Sequence, residues 1–287
     1  KGDIQMGFYA MGSHDIVQGT NCPIQDEGNN IIAQACYQIA KEFDIEPYDE
    51  HTGKGVLRHI IGRIGQSGWM IILVTATEQL PHKEKWVEKL TERISQVETI
   101  VHNVNGKRTN VILGPKNNIL YGNGTITDHI KDLQFTLSPH SFFQVNPEQT
   151  TVLYDQALAY ADLKGDETVI DAYCGTGTIS LFLAHKAKHV IGIEIVEPAI
   201  INARENAQRN GYDNTEFIVA DAAVEMPKLY KAGVRPDVIV FDPIRAGCKE
   251  EVLTSAAGME PKRIVYVSCN PATMARDIEI LTHYGYE

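Results

Sequence analysis

Short apolar, β-branched runs alternate regularly with amphipathic runs in the second half of the chain. The strand patterns cover 167–171, 189–194, 215–219, 237–241 and 262–267, and the helical patterns cover 178–187, 197–210, 222–232, 249–257 and 271–282. Strands that alternate with helices of this length are typical of a parallel sheet with helices on both faces. The pattern predicts a doubly wound, Rossmann-like α/β domain.

The first part of the chain has a mixed pattern. Apolar residues recur at helical spacing over about 29–43 and 83–96, and two strand patterns, 55–64 and 69–75, flank Gly65-Gln66-Ser67-Gly68. Short strands punctuated by Gly and Asn follow. This mixture predicts a smaller α+β domain over 1–143, ahead of the α/β domain over 144–287.

Acidic residues stand where three consecutive strand patterns end. Asp171 opens the run Asp171-Ala172-Tyr173-Cys174-Gly175-Thr176-Gly177, Glu194 ends the next strand, and Asp221 ends the third. The carboxyl ends of parallel strands form the ligand edge of an open α/β sheet, so these groups fit an adenosine-bearing cofactor, with Glu194 accepting the ribose hydroxyls. Two simpler interpretations stay open: Gly175 and Gly177 can serve only a tight turn, and Asp221 can be a helix N-cap.

The composition is ordinary for a globular protein, with 43% hydrophobic and 22% charged residues among 287. The five cysteines, at positions 22, 36, 174, 248 and 269, form no CxxC pair. The sequence has no run of 18 apolar residues and no signal-peptide pattern. We therefore expect a reduced, cytoplasmic protein without a membrane segment.

The net charge of −11 is unusual for a simple nucleic-acid binder, which generally carries a basic surplus. The part before residue 145 has 13 Lys and Arg against 16 Asp and Glu, and the rest has 13 against 21. Contacts with a nucleic acid would therefore come from local basic patches, such as Lys54, Arg58 and Arg63, or from a segment outside this sequence.

Four ordered motifs together resemble the RNA uracil-C5 methyltransferases that use S-adenosylmethionine. They are Phe142-Phe143-Gln144-Val145-Asn146, the run from Asp171 to Gly177, Asp242-Pro243-Ile244-Arg245, and Ser268-Cys269-Asn270-Pro271. They are spread over about 130 residues, and the first domain is similar to the central domain of that family. The resemblance thus covers essentially the whole chain and implies a methyltransferase fold.

The resemblance implies a covalent mechanism. Carbon 5 of uracil is a weak nucleophile, and the family activates it by adding a cysteine thiolate at carbon 6. The cysteine of the Ser-Cys-Asn-Pro motif is Cys269 here, at a strand end with a helix start nearby that favours the thiolate. The alternative for Cys269 is a buried structural thiol. Cys248 is the nearest rival, whereas Cys174 and Cys36 lie at positions typical of packing.

The same resemblance implies the contacts of the cofactor and the base. Gln144, Tyr173, Glu194 and Asp242 would contact S-adenosylmethionine, with Asp242 near its methionine end or near the target base. Phe142 would stack on a flipped-out base. Because Phe142 and Phe143 alternate across a strand, one of the two is expected to be core. For Arg245 three interpretations stay open: a contact with phosphate, a contact with a neighbouring carboxylate, or a surface role.

The sequence departs from the family pattern at position 244 and at the general base, and Cys22 raises the separate question of a metal cluster. Ile244 stands where the family usually has a second proline, which can loosen the loop that carries Asp242. Cys22 resembles the last of four cysteines that bind an iron–sulfur cluster in some relatives, but three companions do not precede it, so we expect no cluster or other metal. The general base of the family is a glutamate in a later His-Val-Glu motif. Glu287 is not assigned as this base, and we expect a fragment that lacks the final strands and the β-barrel RNA-binding domain.

These features predict an enzyme that methylates carbon 5 of a uridine in RNA, with 23S ribosomal RNA as the expected substrate and S-adenosylmethionine as cofactor. We expect it to act as a monomer. One alternative is the T loop of transfer RNA, and another is a module that binds S-adenosylmethionine and RNA without turnover. A nicotinamide-dependent dehydrogenase would explain the glycine loop but would leave Ser268-Cys269-Asn270-Pro271 unexplained.

Overall fold

The computed structural model describes residues 4–19, 21–144 and 146–287. Thr20, two residues before Cys22, and Val145, within the first of the four motifs, lie outside the described residues. The chain forms two compact units, Lys1–Asp128 and His129–Glu287. Each is described by itself below.

The described residues of the first unit form six strands and two helices before the division: β1 (Gly7–Tyr9), β2 (Ile16–Gln18), α1 (Glu27–Glu42), β3 (Leu57–Ile64), β4 (Trp69–Thr75), α2 (Lys83–Arg93), β5 (Val97–Val104) and β6 (Lys116–Tyr121). The sheet order is β3-β4-β5-β6, with β4 and β5 parallel and the other neighbours antiparallel. Because parallel neighbours need a crossover, α2 connects β4 to β5. The predicted α+β architecture is confirmed, and the small β1–β2 hairpin is an addition to it.

The division between the units falls within β7 (Ile126–Ile130). In its described residues, the second unit continues with one strand and one helix, after which five strands alternate with five helices. Its elements are β8 (Leu133–Leu137), α3 (Pro147–Ala161), β9 (Thr168–Asp171), α4 (Thr178–Ala184), β10 (His189–Glu194), α5 (Glu197–Arg209), β11 (Thr215–Val219), α6 (Ala222–Lys231), β12 (Val238–Phe241), α7 (Glu250–Gly258), β13 (Arg263–Tyr266) and α8 (Pro271–Thr282). From β9 onward every predicted element is present.

The division after Asp128 lies earlier than the predicted boundary at 143/144. The reason is the packing of β8, whose sequence alone resembles the short strands before it. The backbone N–H groups of Gln134 and Thr136 donate to the side-chain oxygens of Asn210 and Asn206, at distances of 2.9 and 2.7 Å. These bonds attach β8 to the end of α5, so the segment belongs to the second unit.

The sheet of the second unit is entirely parallel, in the order β11-β10-β9-β12-β13. The strand order reverses beside β9, which pairs with β10 on one side and with β12 on the other. In doubly wound sheets the crevice at such a switch point is where ligands bind. The loops that follow β9 and β12 therefore flank the place where a cofactor is expected.

Helices cover both faces of this sheet. On one face, Met226 of α6 and Val252 of α7 pack with Ile170, Ile239 and Phe241 in one buried cluster, and α8 continues this layer. On the other face, α4 packs on β9 and β10, and α5 packs on β10 and β11. Burying each such side chain contributes roughly 1.5–3 kcal/mol, so this core holds the strand ends in place.

Helix α3 was not among the predicted elements. Its apolar positions do not recur at a clear helical period, but its start carries a local signal. Asn146 caps the helix by accepting a hydrogen bond from the Gln149 N–H at 3.1 Å, and Pro147 stands in the first turn.

Among the described residues, no helix combines the length and the apolar character that crossing a membrane requires.

Candidate functional site

A cavity of about 720 Å³ opens at the carboxyl ends of the strands of the second unit. It lies at the switch point of the sheet, and its volume is in the range of about 300–1,000 Å³ that is typical of small-molecule sites. The structure brings together there all but one of the residues proposed from sequence: Phe142, Gln144, Tyr173, Gly175, Glu194, Asp221, Asp242 and Cys269. The exception is Gly177.

Gly177 shapes the loop rather than lining the cavity. It precedes α4 with a φ of 82°, a conformation that side chains rarely adopt. A Cβ placed on it would lie 3.2 Å from the side chains of Ala203 and Phe217. Gly177 therefore allows both the turn and the close packing of α4 on its neighbours.

Asp171 lies at the bottom of the cavity and is fully buried. The Ser180 hydroxyl donates a hydrogen bond of 2.6 Å to Asp171 Oδ2. This bond explains why Ser180 occupies the third small position of the glycine fingerprint, where Gly or Ala is usual. Burial raises the pKa of Asp171 to about 7, although the bond from Ser180 acts in the opposite direction, and the neighbouring carboxylate of Asp242 adds to the increase.

The raised pKa of Asp171 predicts how stability depends on pH. An unfolded aspartate has a pKa near 3.9, so this group contributes stability that is complete below about pH 4 and is lost as the pH rises through about 7. The free energy of unfolding of the wild-type protein should therefore fall by an amount on the order of a few kcal/mol between these limits. We expect this decrease to be absent in Asp171→Asn, as measured by urea unfolding from pH 4 to pH 8.

Asp162→Asn is a control of opposite sign for this experiment. Lys164 and Arg263 hold the pKa of the Asp162 carboxyl below its usual range, with the Lys164 hydrogen bond contributing most. The contribution of Asp162 is therefore lost as the pH falls through its folded pKa. If wild type and Asp171→Asn showed the same pH dependence, the assignment of a raised Asp171 pKa would be wrong.

Glu194 reaches the glycine loop from the end of β10. Its Oε2 accepts the Gly175 N–H at 3.3 Å, and its Oε1 accepts the Val196 N–H at 2.9 Å. Both bonds orient the carboxylate toward the cavity that it lines. A carboxylate fixed in this way at the second strand end can accept hydrogen bonds from vicinal hydroxyls.

Asp221 has two local partners. It caps α6 by accepting the Ala223 N–H at 2.9 Å, and Lys249 Nζ lies 2.8 Å from its other oxygen. These partners, of which the Lys249 hydrogen bond has the larger effect, lower the pKa of Asp221. The N-cap interpretation is therefore confirmed, while its role toward a cofactor stays a prediction.

Asp242 follows β12 on the other side of the switch point. It is partly buried, and burial raises its pKa to about 6. Its neighbour Ile244 is 77% exposed and lines the mouth of the cavity. The Ile244 carbonyl accepts the Gly247 N–H at 2.8 Å, so a tight turn forms without the second proline of the family pattern.

The cysteines differ sharply in accessibility. Cys269 is exposed and lines the cavity, whereas Cys36, Cys174 and Cys248 are buried. Burial raises the pKa of the Cys248 thiol to about 11 and raises the pKa values of Cys36 and Cys174 as well. Since the thiolate is the reactive form, the three buried cysteines are poor nucleophiles. Cys269 is thus the thiol of this site that a substrate can reach.

The two adjacent phenylalanines have different environments. Phe142 is 70% exposed at the cavity, whereas Phe143 is buried with its ring 5.8 Å from that of Phe135. The expectation that one of them is core is met by Phe143. Phe142 is the ring that is free to stack on a planar ligand.

Tyr173 and Tyr154 form part of the cavity wall. Tyr173 packs against the apolar core beneath the sheet edge, and burial raises its pKa, with Cys248 adding to the shift. Tyr154, from α3, was missed in the sequence because its helix was missed. Its hydroxyl lies 3.1 Å from Thr178 Oγ1, and burial raises its pKa. Both tyrosines are therefore neutral.

One further observation bears on what the cavity can hold. The Thr176 hydroxyl oxygen is buried in the cavity wall and has no hydrogen-bond partner among the described atoms. Leaving such an atom unpaired costs about 1–3 kcal/mol, so a polar ligand gains by pairing with it. The acidic groups Asp171, Glu194 and Asp242 favour a ligand that carries positive charge and hydroxyl groups. These residues fit S-adenosylmethionine.

The three basic residues proposed as an RNA-binding patch in the first unit differ in their environments. The Arg58 side chain is almost fully buried, is paired with Glu50 at 2.8 Å and donates to the carbonyls of Asn105 and Lys107, so it is a structural residue and not part of an RNA-binding patch. Burial also lowers the pKa of Arg63, while Lys54 is exposed. Within the described part of the chain, no three His, Cys, Asp or Glu side chains converge as metal ligands.

Comparison with known proteins agrees with this geometry. Residues 163–283 match a family model described as a methyltransferase domain. A protein of Halalkalibacterium halodurans named as an RNA methyltransferase is 51% identical over the whole of this chain, and one of Clostridium acetobutylicum with the same description is 50% identical. The chain spans 63% of the length of each of these relatives.

A solved structure extends the similarity to both units. The tRNA (uracil-54, C5)-methyltransferase of Pyrococcus abyssi, in complex with S-adenosyl-L-homocysteine, is 27% identical and aligns with a TM-score of 0.76. The alignment covers 93% of this chain and 64% of that one. The predicted methyltransferase fold is therefore confirmed.

Proposed function

We propose that this chain, which has the fold of the S-adenosylmethionine-dependent methyltransferases, methylates carbon 5 of a uridine in RNA through a covalent bond to Cys269. The observation that carries the proposal is the position of Cys269. It is an exposed thiol in the same cavity as the acidic groups that suit the cofactor. A methyltransferase that acts on a more nucleophilic atom needs no such cysteine.

The residues that line the cavity fall into those that would bind the cofactor and those that would bind the target base. S-adenosylmethionine, when bound, supplies an electrophilic methyl group on a sulfonium. Glu194 would hold its ribose, and Tyr173 and Gln144 would line its site. The aromatic ring of Phe142 would stack on the flipped-out uracil and hold it beside Cys269.

The covalent step uses the thiol of Cys269. Its thiolate forms a bond to carbon 6 of uracil, and the electron pair of the 5,6 double bond moves toward the 4-carbonyl oxygen, so carbon 5 becomes a nucleophile. Carbon 5 would then bond to the methyl carbon as the bond from that carbon to the sulfonium sulfur breaks, with S-adenosylhomocysteine as the leaving group. A base removes the proton of carbon 5, the double bond re-forms and the bond to Cys269 breaks. The thiolate is then regenerated. No residue of this chain is assigned as that base.

For the substrate we propose 23S ribosomal RNA, with transfer RNA as a second candidate. The first rests on the resemblance of the motifs and of Cys22 to the ribosomal branch. The second is favoured by the alignment with an enzyme whose name specifies uracil 54 of tRNA. Because the net charge of −11 does not attract RNA, recognition of 23S rRNA or of tRNA would depend on local contacts or on parts outside this sequence.

The substrate proposal is tested with the full-length gene product. It is incubated with S-adenosylmethionine labelled in the methyl group and with transcripts of 23S rRNA domains or of tRNA, and the nucleosides are separated after digestion. Label in 5-methyluridine from 23S fragments alone supports the proposal. Label from tRNA alone contradicts the ribosomal assignment, and label in another nucleoside contradicts the reaction at carbon 5.

Glu194 provides a test of the cofactor site. We expect Glu194→Gln to weaken S-adenosylmethionine and S-adenosylhomocysteine equally, by about tenfold, because both ligands share the ribose and the variant loses a charge-assisted hydrogen bond. Isothermal titration calorimetry measures both affinities. Glu197→Gln, on the exposed first turn of α5, is the matched control and should leave them unchanged. Unchanged affinities in Glu194→Gln would exclude the ribose role.

A further inference from the structure

We propose that Asp277 and Arg276 of α8 are positioning residues that hold the loop 242–248 against the start of α8, and thereby set the Asp242 carboxylate relative to the Cys269 thiol. The inference rests on the proposed function, because it concerns two groups of that site. Neither Asp277 nor Arg276 lines the cavity. Their role is therefore to place other residues, not to contact the substrate.

Asp277 is a buried charge with a full set of partners. Its side chain is completely buried, and its Oδ2 accepts the Cys248 N–H at 2.7 Å and the Tyr266 hydroxyl at 2.5 Å. Its Oδ1 accepts Nε and Nη2 of Arg276 at 2.8 and 2.6 Å. The carboxylate thus joins the end of the loop to the last residue of β13 and to α8.

Arg276 continues this connection to the loop backbone. Its Nη2 donates to the carbonyls of Ala246 and Cys248, at 3.0 and 3.2 Å. One residue earlier in the loop, the Arg245 carbonyl accepts hydrogen bonds from Asn270 Nδ2 at 3.0 Å and from Thr273 Oγ1 at 3.2 Å. Side chains of α8 and its N-cap therefore hold three carbonyls and one N–H of the loop.

The loop and α8 each adjoin one functional group of the proposed site, the Asp242 carboxylate and the Cys269 thiol. The loop begins at Asp242, and α8 begins directly after Cys269 and Asn270. Gly247 makes the contact between them close, because a Cβ at this residue would lie 2.6 Å from both Arg276 Nη2 and Asp277 Oδ2. Any shift of the loop relative to α8 would therefore change the distance between the carboxylate and the thiol.

The energetics favour a positioning role over a purely stabilising one. Burying a carboxylate and fixing a guanidinium beside it is expensive, and apolar residues of similar size often stabilise a core equally well. The charged pair adds directional hydrogen bonds, which fix the positions of specific backbone groups of the loop. A misplacement of about 1 Å in an active site can lower a rate about 10²-fold.

Asp277→Asn tests the proposal in the full-length gene product. A carboxamide offers one acceptor oxygen instead of two, so it cannot keep all four bonds. We expect the rate at saturating S-adenosylmethionine and RNA to fall about 10²-fold, with KM for both within threefold of wild type. We also expect faster amide hydrogen exchange in the peptide that contains residues 245–248.

Two further variants separate positioning from folding. Tyr266→Phe keeps the bonds of Asp277 to Cys248 and Arg276, so it should lower the rate less than tenfold. Arg263→Lys disrupts an exposed ion pair of 3.0 Å with Asp162, away from the loop, and should leave both the rate and the exchange unchanged. A structural role alone would lower the melting temperature of Asp277→Asn without a fall in rate well below that temperature.

The outcomes are distinct. A lower rate with unchanged KM and faster exchange of the loop supports the proposal, and a rate within twofold of wild type or unchanged exchange overturns it. If the wild-type protein itself methylates no RNA, the proposed function fails. In that case, amide hydrogen exchange of residues 245–248 in Asp277→Asn is the measurement that tests whether Asp277 and Arg276 hold the loop.

Discussion

Replacing Cys269 by alanine should abolish formation of a covalent complex with RNA that contains 5-fluorouridine and should lower methylation by at least about 10⁴-fold. The fluorine blocks the final elimination, so the enzyme remains attached to the RNA and the complex is seen by intact mass. Cys269 is the exposed thiol of the cavity, whereas Cys174, which also lines it, is buried. Affinity for S-adenosylmethionine should stay within twofold, because the acidic groups of the cofactor site are untouched.

Cys22→Ala is the matched control for this experiment. Cys22 is the other cysteine that is not fully buried, and it belongs to the first unit. It should form the covalent complex at the wild-type rate. A complex that persists in Cys269→Ala would move the nucleophile elsewhere, and Cys248→Ala would then be the next variant to examine despite its raised thiol pKa.

Replacing Asp242 by asparagine should have the second largest effect, a loss of about 10²–10³ in the rate of covalent complex formation. The carboxylate lies at the switch point between the cofactor loop and the loop held by α8, where a fixed negative charge attracts the cationic cofactor. We expect the affinity for S-adenosylmethionine to fall about tenfold at pH 7.5. The affinity for S-adenosylhomocysteine, which lacks the sulfonium charge, should change less.

The pH dependence of binding provides a second measurement on Asp242. With a pKa of about 6, the group is neutral below this pH and ionised above it, so the wild-type protein should bind S-adenosylmethionine more tightly as the pH rises from 5 to 7. This increase should be smaller in Asp242→Asn, in which Asp171, with a pKa of about 7, still titrates in the same cavity. Equal losses for both ligands, or an increase with pH as large in the variant as in the wild-type protein, would contradict the role.

The residues around the cofactor loop could be predicted from the sequence because each leaves a local mark. Asp171 and Glu194 follow apolar strand patterns, and Gly175 and Gly177 mark a turn with positive φ. A strand end, a tight turn and a helix start depend on neighbouring residues, so their order along the chain is enough to place them. The predicted bounds of the strands from 168 to 266 accordingly agree with the structure within a residue.

Other features depend on residues that are distant in the sequence. The contacts of Arg58 with Glu50, Asn105 and Lys107 are formed only when separate segments meet, so a basic residue that looked free is structural. Helix α3 has a weak apolar period and is defined mainly by its cap and its packing on α4 and β13. The role of Arg276 and Asp277 is equally invisible in the sequence, since the loop that they hold lies about 30 residues earlier.

By itself, the sequence determined the alternation of strands and helices, the acidic strand ends and the cysteine motif, because periodicity, turns and caps are local properties of the chain. Only the tertiary structure decided the strand order, the division within β7, which of Phe142 and Phe143 is core, and which thiol is accessible. These are decided by burial, and burial depends on the packing of segments far apart in the chain. The chemistry of the site follows from that packing, because burial suppresses three thiols and leaves Cys269 open.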